Sequence, residues 1–200
     1  MSAEAFSPEW QERYSRQILL PEIGGDGQRR LDRAAVGIVG GDEATLPALL
    51  YLAAAGVGFL RVTDPHAERL EQARAWAAAN NPTVTIVTAP RLDPDHPEAW
   101  LKGLELVIDL HQQWPWLDPL CRSRQIPLLT TWITPDGRGW VAGSRGGTHP
   151  APACLTCHPP PWPPIPPEQM GTPWFSLWRG VAATLLATET LKHLLAIGDP

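Results

Sequence analysis

A glycine turn that contains carboxylates is the first group of residues in this chain that could do chemistry. The stretch GIVGGDEATLPALL, residues 37–50, passes from a buried apolar strand into a turn that opens at Gly40. Such a turn binds phosphates when glycines allow close backbone approach and the following helix offers free amides. In this chain the turn continues with two carboxylates and a hydroxyl, those of Asp42, Glu43 and Thr45. A carboxylate about 4 Å from a phosphate costs roughly 1–4 kcal/mol. The turn is therefore poorly suited to a triphosphate, and its carboxylates equally suit a helix N-terminus.

More polar candidates stand where later strands are predicted to end. Asp64 follows GFLRVT, in the place of the acidic residue that holds a ribose in dinucleotide-binding folds, although a turn residue before Pro65 explains it equally well. The run DLHQQ supplies Asp109, His111 and Gln112 after another strand. Because the carboxyl ends of parallel strands share one edge, these side chains are expected to face one crevice.

Strands and helices alternate along the chain, which predicts an α/β fold with a parallel sheet and right-handed crossovers. The final segment, FSLWRGVAATLLATETLKHLLAIG, predicts a long helix. Predicted strands include 35–40 and 105–110, with further strands in GFLRVTD, TVTIVTAP, IPLLTTWIT and GRGWVAGS; predicted helices include 8–20 and 44–56, with others in HAERLEQARAWAAANN, EAWLKGL and PWLDPLCRSRQ.

Several stretches together resemble the ThiF/MoeB/HesA family, relatives of ubiquitin-activating enzymes. They are RYSRQILLPEIGGDGQRRL, YLAAAGVGFLRVTD, ELVIDL, IPLLTTWITPDGRGWV, PACLTCHPP and LATETLKHLLAIGDP, in the family's order over nearly the whole chain. The resemblance implies a Rossmann-like, mostly parallel sheet with helices on both faces, a proline-rich crossover loop and a long C-terminal helix. It also implies a dimer that uses ATP and magnesium to adenylate a small ubiquitin-like or sulfur-carrier protein.

Three residues match the family's nucleotide-binding positions. Gly40 matches the first glycine of its G-x-G-G-x-G loop, Asp64 its ribose-binding position, and Arg16 the N-terminal arginine that reaches the neighbouring subunit's nucleotide. We assign them to a vestigial nucleotide site. With the rest of the site lost, Arg16 could instead serve the dimer interface through ion pairs.

Other positions depart from the family's pattern. Asp42, Glu43 and Thr45 replace three glycines, and Gln112 replaces the second aspartate of a magnesium-binding D-x-x-D-N pattern. An amide is a poor substitute for a carboxylate on a hard cation. The family's Arg- and Lys-bearing stretch after Asp64 is absent, and the crossing loop lacks its reactive cysteine. We therefore expect neither ATP nor magnesium to bind and assign no catalytic residue.

Whether the late cysteine pair binds a metal ion stays open. Cys154 and Cys157 resemble half of the family's four-thiolate zinc site. Zinc would need His158, His149 or another subunit to complete its coordination, and a metal-free remnant is the favoured interpretation. CLTCH also matches a haem-attachment pattern, which requires export, but no signal peptide is recognisable. Cys121 is expected in the core.

Composition excludes some function classes. The chain has 200 residues, 44% hydrophobic residues and a net charge of −5, which argues against non-specific nucleic-acid binding. No apolar run reaches membrane-spanning length, and we expect a cytoplasmic protein with reduced cysteines. The prolines, 23 in all, concentrate late, beside Trp162, Trp174 and Trp178, which could present an aromatic surface to a partner or pack the loop against the sheet.

One domain over residues 1–200 is predicted. It divides into an N-terminal helical arm at 1–34, a core at 35–145, a proline-rich crossover loop at 146–174 and a C-terminal helix at 175–200. The first functional hypothesis is a non-catalytic interaction or scaffold subunit, as a homodimer or as a heterodimer with an intact sister subunit. The second is an active adenylyltransferase whose nucleotide site is rearranged or supplied by a partner. The pathway and the carrier protein stay open.

Overall fold

A six-stranded sheet with helices on both faces organises the chain. A computed structural model describes residues 7–41, 43–89, 92–134, 136–144, 155–156, 159 and 172–198. The predicted Rossmann-like α/β fold is confirmed, including the long C-terminal helix. Most of the predicted crossover loop at 146–174 lies outside the described residues, so its form and the division of the chain into segments stay predictions.

The helices and strands follow the predicted order, and most ends agree within two or three residues. The strands are β1 Ala35–Val39, β2 Phe59–Thr63, β3 Thr85–Thr88, β4 Leu106–Asp109, β5 Leu128–Ile133 and β6 Gly139–Ser144. The helices are α1 Pro8–Ile18, α2 Gly24–Arg33, α3 Thr45–Ala55, α4 Ala67–Asn80, α5 Glu98–Leu101, α6 Trp114–Ser123 and, as the final helix α7, Pro173–Leu195.

The strand order creates the crevice that the sequence suggested. The sheet runs β3-β2-β1-β4-β5-β6, with β1 to β5 parallel and β6 antiparallel to β5. The chain builds outward from β1 to β3, then returns to place β4 on the other side of β1. The loops after β1 and β4 therefore diverge, which places a crevice at the carboxyl ends of these two strands.

Two hydrophobic cores cover the two faces of the sheet. On one face, Ile38, Leu60 and Ile108 pack with residues of α3, α4 and α7. On the other face, Trp100, Trp114 and Trp132 join Cys121 and Val107 in an aromatic core beneath α5 and α6. Strands buried on both faces read as near-continuous apolar runs, which is why AVGIV and ELVIDL were recognisable from sequence.

Helix α1 is fastened at the end of α3 that lies away from the crevice. The Tyr14 ring lies against Gly56, which ends α3 with a φ of 87°, and a side chain at that position would meet the ring at 2.7 Å. The Asn81 side-chain amide donates to the Tyr14 hydroxyl at 2.8 Å and to the Ala53 carbonyl at 2.7 Å. This buried network fixes where Arg16, two residues after Tyr14, can lie.

Candidate functional site

The carboxyl ends of β1, β2 and β4 meet as predicted. The Gly40 amide donates to the Thr63 carbonyl at 2.8 Å, so Gly40 extends the β1–β2 pairing beyond the strands. The Leu110 amide donates to the Val39 carbonyl at 2.9 Å and extends the β1–β4 pairing in the same way. Gly40, Asp64 and Asp109 thus lie at one edge of the sheet, and the candidate site is built on rigid strand ends.

Each oxygen of the Asp64 carboxylate accepts a hydrogen bond from within the chain. The Thr45 hydroxyl, on the first residue of α3, donates to Asp64 Oδ2 at 2.7 Å and accepts from the Gly41 amide at 3.2 Å. The His66 amide donates to Asp64 Oδ1 at 2.8 Å. Both Thr45 and Asp64 are buried, with 1% and 7% of their surface exposed. The Thr45 hydroxyl is therefore bound to one oxygen of the carboxylate that would hold a ribose in this kind of fold.

The two glycines of the turn make room for protein side chains. A Cβ on Gly40 would overlap the Thr45 side chain, and a Cβ on Gly41 would overlap the ring of His111. Glycine is required here because other parts of the chain pack directly against the turn. The close approach that normally serves a phosphate is used for internal packing.

Asp109 lies in the loop after β4 as a structural acceptor. Its carboxylate accepts from the His111 amide at 2.9 Å, from the Trp114 amide at 2.8 Å and from the Thr130 hydroxyl at 3.3 Å, and it is completely buried. Burial raises the pKa of the Asp109 carboxyl above its ordinary value, while hydrogen bonds, led by the Gln113 amide, act in the opposite direction. Asp109 was expected to project toward the crevice, but its carboxylate is buried and ties the loop to the start of α6.

Among the described residues, a cavity of about 20 Å³ lies at the crevice. The Gln113 side-chain amide donates to the His111 carbonyl at 3.1 Å and accepts from the Trp116 indole at 3.0 Å, so these groups form one wall. Such a volume holds about one water, whereas small-molecule sites span roughly 300–1,000 Å³. The cavity is lined by Val39, Gly40, Thr63, Pro65, Leu92, His111, Gln113 and Trp116.

The described residues do not fit magnesium-bound ATP. Asp64 and Asp109 use their oxygens for hydrogen bonds inside the chain, and the cavity of about 20 Å³ between the described residues is too small for an adenosine or a triphosphate. Gln112, in the place of the family's second aspartate, has a left-handed φ of 56° and offers no carboxylate. Among the described residues there is also no group of three or more His, Cys, Asp or Glu side chains able to hold a metal ion.

Arg16 lies apart from Gly40 and Asp64. It is exposed on α1, and the neighbouring Gln17 donates to the Ala54 carbonyl at the far end of α3. Since α3 has 11 residues, roughly 15 Å of helix separates this end from the turn at Gly40. Arg16 cannot complete the crevice of its own chain.

The other residues singled out in the sequence lie in the turn, in the core or outside the described residues. Glu43 is exposed in the turn before α3. Cys121 is buried as expected, and desolvation, reinforced by Asp118 and Asp109, raises the pKa of its thiol to about 12. Outside the described residues lie Asp42, Cys154, Cys157, His149, His158 and Trp162.

Sequence reasoning missed the roles of two residues. Thr45 was recognised only as a lost glycine, although a hydroxyl four residues after a glycine pair is a recognisable partner for a buried strand-end carboxylate. Arg179 of α7 donates to the Leu110 carbonyl, directly after β4, and its guanidinium lies 5.6 Å from the Phe175 ring centroid. No local motif could have identified Arg179, because 69 residues separate it from its acceptor.

Comparisons with known proteins agree with the geometry of the fold. The ThiF family model matches residues 14–67, which run from α1 to the start of α4. The sulfur carrier protein adenylyltransferase of Thermus thermophilus is 32% identical over 216 residues, covering 94% of this chain and 79% of the relative. The chain belongs to the ThiF family. A further relative, the SAMP-activating enzyme E1 of Haloferax volcanii, is 29% identical over 223 residues, covering 94% of this chain and 77% of the relative.

Solved structures show the same fold at low sequence identity. A structure of E. coli MccB with succinimide has a TM-score of 0.69 and 17% identity, covering 94% of this ThiF-family chain and 65% of that chain. The structure of PaaA has a TM-score of 0.66 and 18% identity, covering all of this chain and 70% of that one. At such identities the likeness extends to the fold alone. In the part of the chain that the structure describes, no helix is long and apolar enough to cross a membrane.

Proposed function

We propose that this ThiF-family chain is a non-catalytic interaction or scaffold subunit of a sulfur-carrier or ubiquitin-like-protein pathway. One observation supports the proposal: side chains of this chain fill the described part of the crevice that would hold a nucleotide. The Thr45 hydroxyl and the His66 amide donate to the Asp64 carboxylate, and the cavity that described residues line there has a volume of about 20 Å³. Phosphoryl chemistry depends on positioned cations and electrostatic stabilisation, and the described crevice offers neither room nor a magnesium-binding carboxylate.

The class of partner is inferred from the name of a relative. The Thermus thermophilus protein is named for a sulfur carrier protein, so a small carrier of this class is the proposed partner here. The chain would bind such a carrier without adenylating it, either as a homodimer or beside an intact sister subunit. In the second arrangement the exposed Arg16 is free to extend toward a neighbouring subunit. Zinc on Cys154 and Cys157 stays a separate proposal, which elemental analysis of the purified protein would test.

The alternative function is adenylation with a site that a partner completes. The 32% identity to an adenylyltransferase over most of the chain supports this alternative. It requires the Thr45–Asp64 hydrogen bond to break and His111 to move away from Gly41, since both groups fill the crevice. The two functions therefore differ in a measurable quantity, the affinity for magnesium-bound ATP.

Isothermal titration calorimetry with magnesium-bound ATP tests the proposal, together with a pyrophosphate-release assay in the presence of a sulfur-carrier protein. We expect no binding at millimolar nucleotide or tighter and no pyrophosphate. Changing Asp42 and Glu43 to glycine is expected to restore neither, because Thr45 and His111 still fill the crevice. Micromolar binding by the unmodified chain would replace the scaffold function with the enzymatic one.

A further inference from the structure

A second cavity opens at the edge of the sheet opposite the crevice, at the amino ends of β4 and β5. It lies between residues 98–104, which form α5 and the turn after it, and residues 124–126, which follow α6. The volume of this α5 cavity is about 650 Å³. Small-molecule sites span roughly 300–1,000 Å³, so the α5 cavity, unlike the cavity at the crevice, has the size of a ligand site.

The wall of the α5 cavity is fixed to the sheet. Arg61 of β2 donates from Nη1 to the Trp100 carbonyl and, at 2.9 Å, to the Lys102 carbonyl. A Cβ on Gly37 of β1 would overlap the Trp100 ring and the Leu104 side chain, so both side chains pack directly against that strand. The cavity therefore exists before a ligand binds, and little ordering of the backbone opposes binding.

The large apolar side chains of the lining are the buried ones. Leu101, Leu104 and Ile126 are 2%, 7% and 9% exposed, so they form the inner part of the α5 cavity. Removal of apolar surface from water is favourable in proportion to the area removed. This inner part therefore favours a ligand that carries an alkyl or aromatic group.

The charged side chains of the lining carry an excess of positive charge. Lys102 is exposed, and in the part of the chain that the structure describes its ammonium group has no hydrogen-bond or ion-pair partner. The Arg124 guanidinium donates from Nη2 to the Glu98 carboxylate at 2.6 Å, which leaves its other two nitrogens available as donors. Two cations and one carboxylate give the lining a net charge of +1, in a chain whose net charge is −5. The lining thus favours an anion.

We propose that the α5 cavity binds a small organic acid, a carboxylate attached to an alkyl or aromatic group. The carboxylate accepts hydrogen bonds from Lys102 and Arg124, and the apolar group contacts Leu101, Leu104 and Ile126. Inorganic phosphate has the charge without the apolar group, and an alkylamine has the apolar group with the opposite charge, so both bind more weakly. The proposal does not depend on the proposed function, because the α5 cavity and the crevice lie at opposite edges of the sheet.

Titration of the isotope-labelled chain with octanoate, followed by two-dimensional NMR, tests the proposal. We expect saturable shifts of the amides of Lys102, Gly103, Leu104 and Ile126, with a dissociation constant of about 1 mM or below. Octylamine and inorganic phosphate should bind about tenfold more weakly or not at all. Equal binding of octanoate and octylamine would overturn the proposal, and so would octanoate shifts that saturate only at other residues or do not appear by about 10 mM.

Variants of the charged side chains separate recognition from folding. Lys102→Ala should weaken octanoate binding about fivefold, as expected for an exposed ion pair. Lys192→Ala is the matched control: it removes the chain's other lysine, which pairs with Glu189 on α7, and should bind octanoate like the unmodified chain.

Glu98→Gln reports on the competition for Arg124. The substitution removes the carboxylate that Arg124 now contacts, so octanoate binding should tighten about threefold. Circular-dichroism melts check that each variant folds like the unmodified chain. Unaltered octanoate binding by folded Lys102→Ala, or weaker binding by folded Glu98→Gln, would show that these charges do not recognise the carboxylate and would overturn the proposal.

Discussion

The Thr45 hydroxyl is predicted to contribute to stability through the strand-end carboxylate that it occupies. Thr45→Val keeps the shape of the side chain and removes the hydroxyl. The substitution leaves Asp64 Oδ2 without its donor at 2.7 Å and the Gly41 amide without its acceptor at 3.2 Å. Because both Thr45 and Asp64 are almost fully buried, water cannot easily replace either partner.

The size of the effect follows from these two lost hydrogen bonds. A hydrogen bond to a charged group contributes about 1.5–3 kcal/mol net, and an unpaired buried amide costs about 1 kcal/mol or more. Thr45→Val should therefore lower the free energy of unfolding by about 2–4 kcal/mol. Thr45→Ser keeps the hydroxyl and loses one methyl group, so it should cost about 1 kcal/mol.

Urea unfolding followed by circular dichroism measures these free energies, with the slope against urea checked for constancy. A double-mutant cycle with Asp64→Ala isolates the pair, and we expect a coupling energy of about 1.5–3 kcal/mol. Thr45→Val should also leave magnesium-bound ATP unbound, since His111 still packs against Gly41. If Thr45→Val and Thr45→Ser are equally stable, or if the coupling energy is near zero, the closed-crevice reasoning fails.

Two further predictions concern the turn and the core. Gly41→Ala should destabilise the protein by about 1–3 kcal/mol, because the new Cβ overlaps the His111 ring. Adding His111→Ala to the same chain should recover much of this loss, and thermal unfolding measures the stability of both variants. If Gly41→Ala alone leaves the stability unchanged, the packing of His111 against Gly41 is contradicted. In a chain that carries Cys154→Ser and Cys157→Ser, iodoacetamide at pH 7 to 9 should modify Cys121 only when the protein unfolds. The reason is that a thiol pKa of about 12, against an ordinary 9.0, lowers the thiolate fraction of Cys121 about a thousandfold. Prompt labelling of the folded protein, at a rate like that of a urea-unfolded sample, would refute this.

The sequence alone determined the order and type of the elements. Apolar runs such as AVGIV and ELVIDL predicted strands buried on both faces, the long final segment predicted a helix, and the alternation of strands with helices predicted the parallel sheet. The sequence also placed Gly40, Asp64 and Asp109 at one edge, because the carboxyl ends of parallel strands must meet there. These features depend on local periodicity and on general rules of chain connection.

The tertiary structure alone decided what occupies the crevice. Thr45 and Asp64 lie 19 positions apart in the chain and Arg179 and Leu110 lie 69 apart, so their hydrogen bonds depend on how α3 and α7 pack against the sheet. The direction of a side chain at a strand end is set by its neighbours in space, which is why Asp109 was expected to project toward the crevice and is instead buried in its own loop. The same holds for α7: its apolar composition is readable from the sequence, but which of its faces the core covers is fixed only when the helix docks on the sheet.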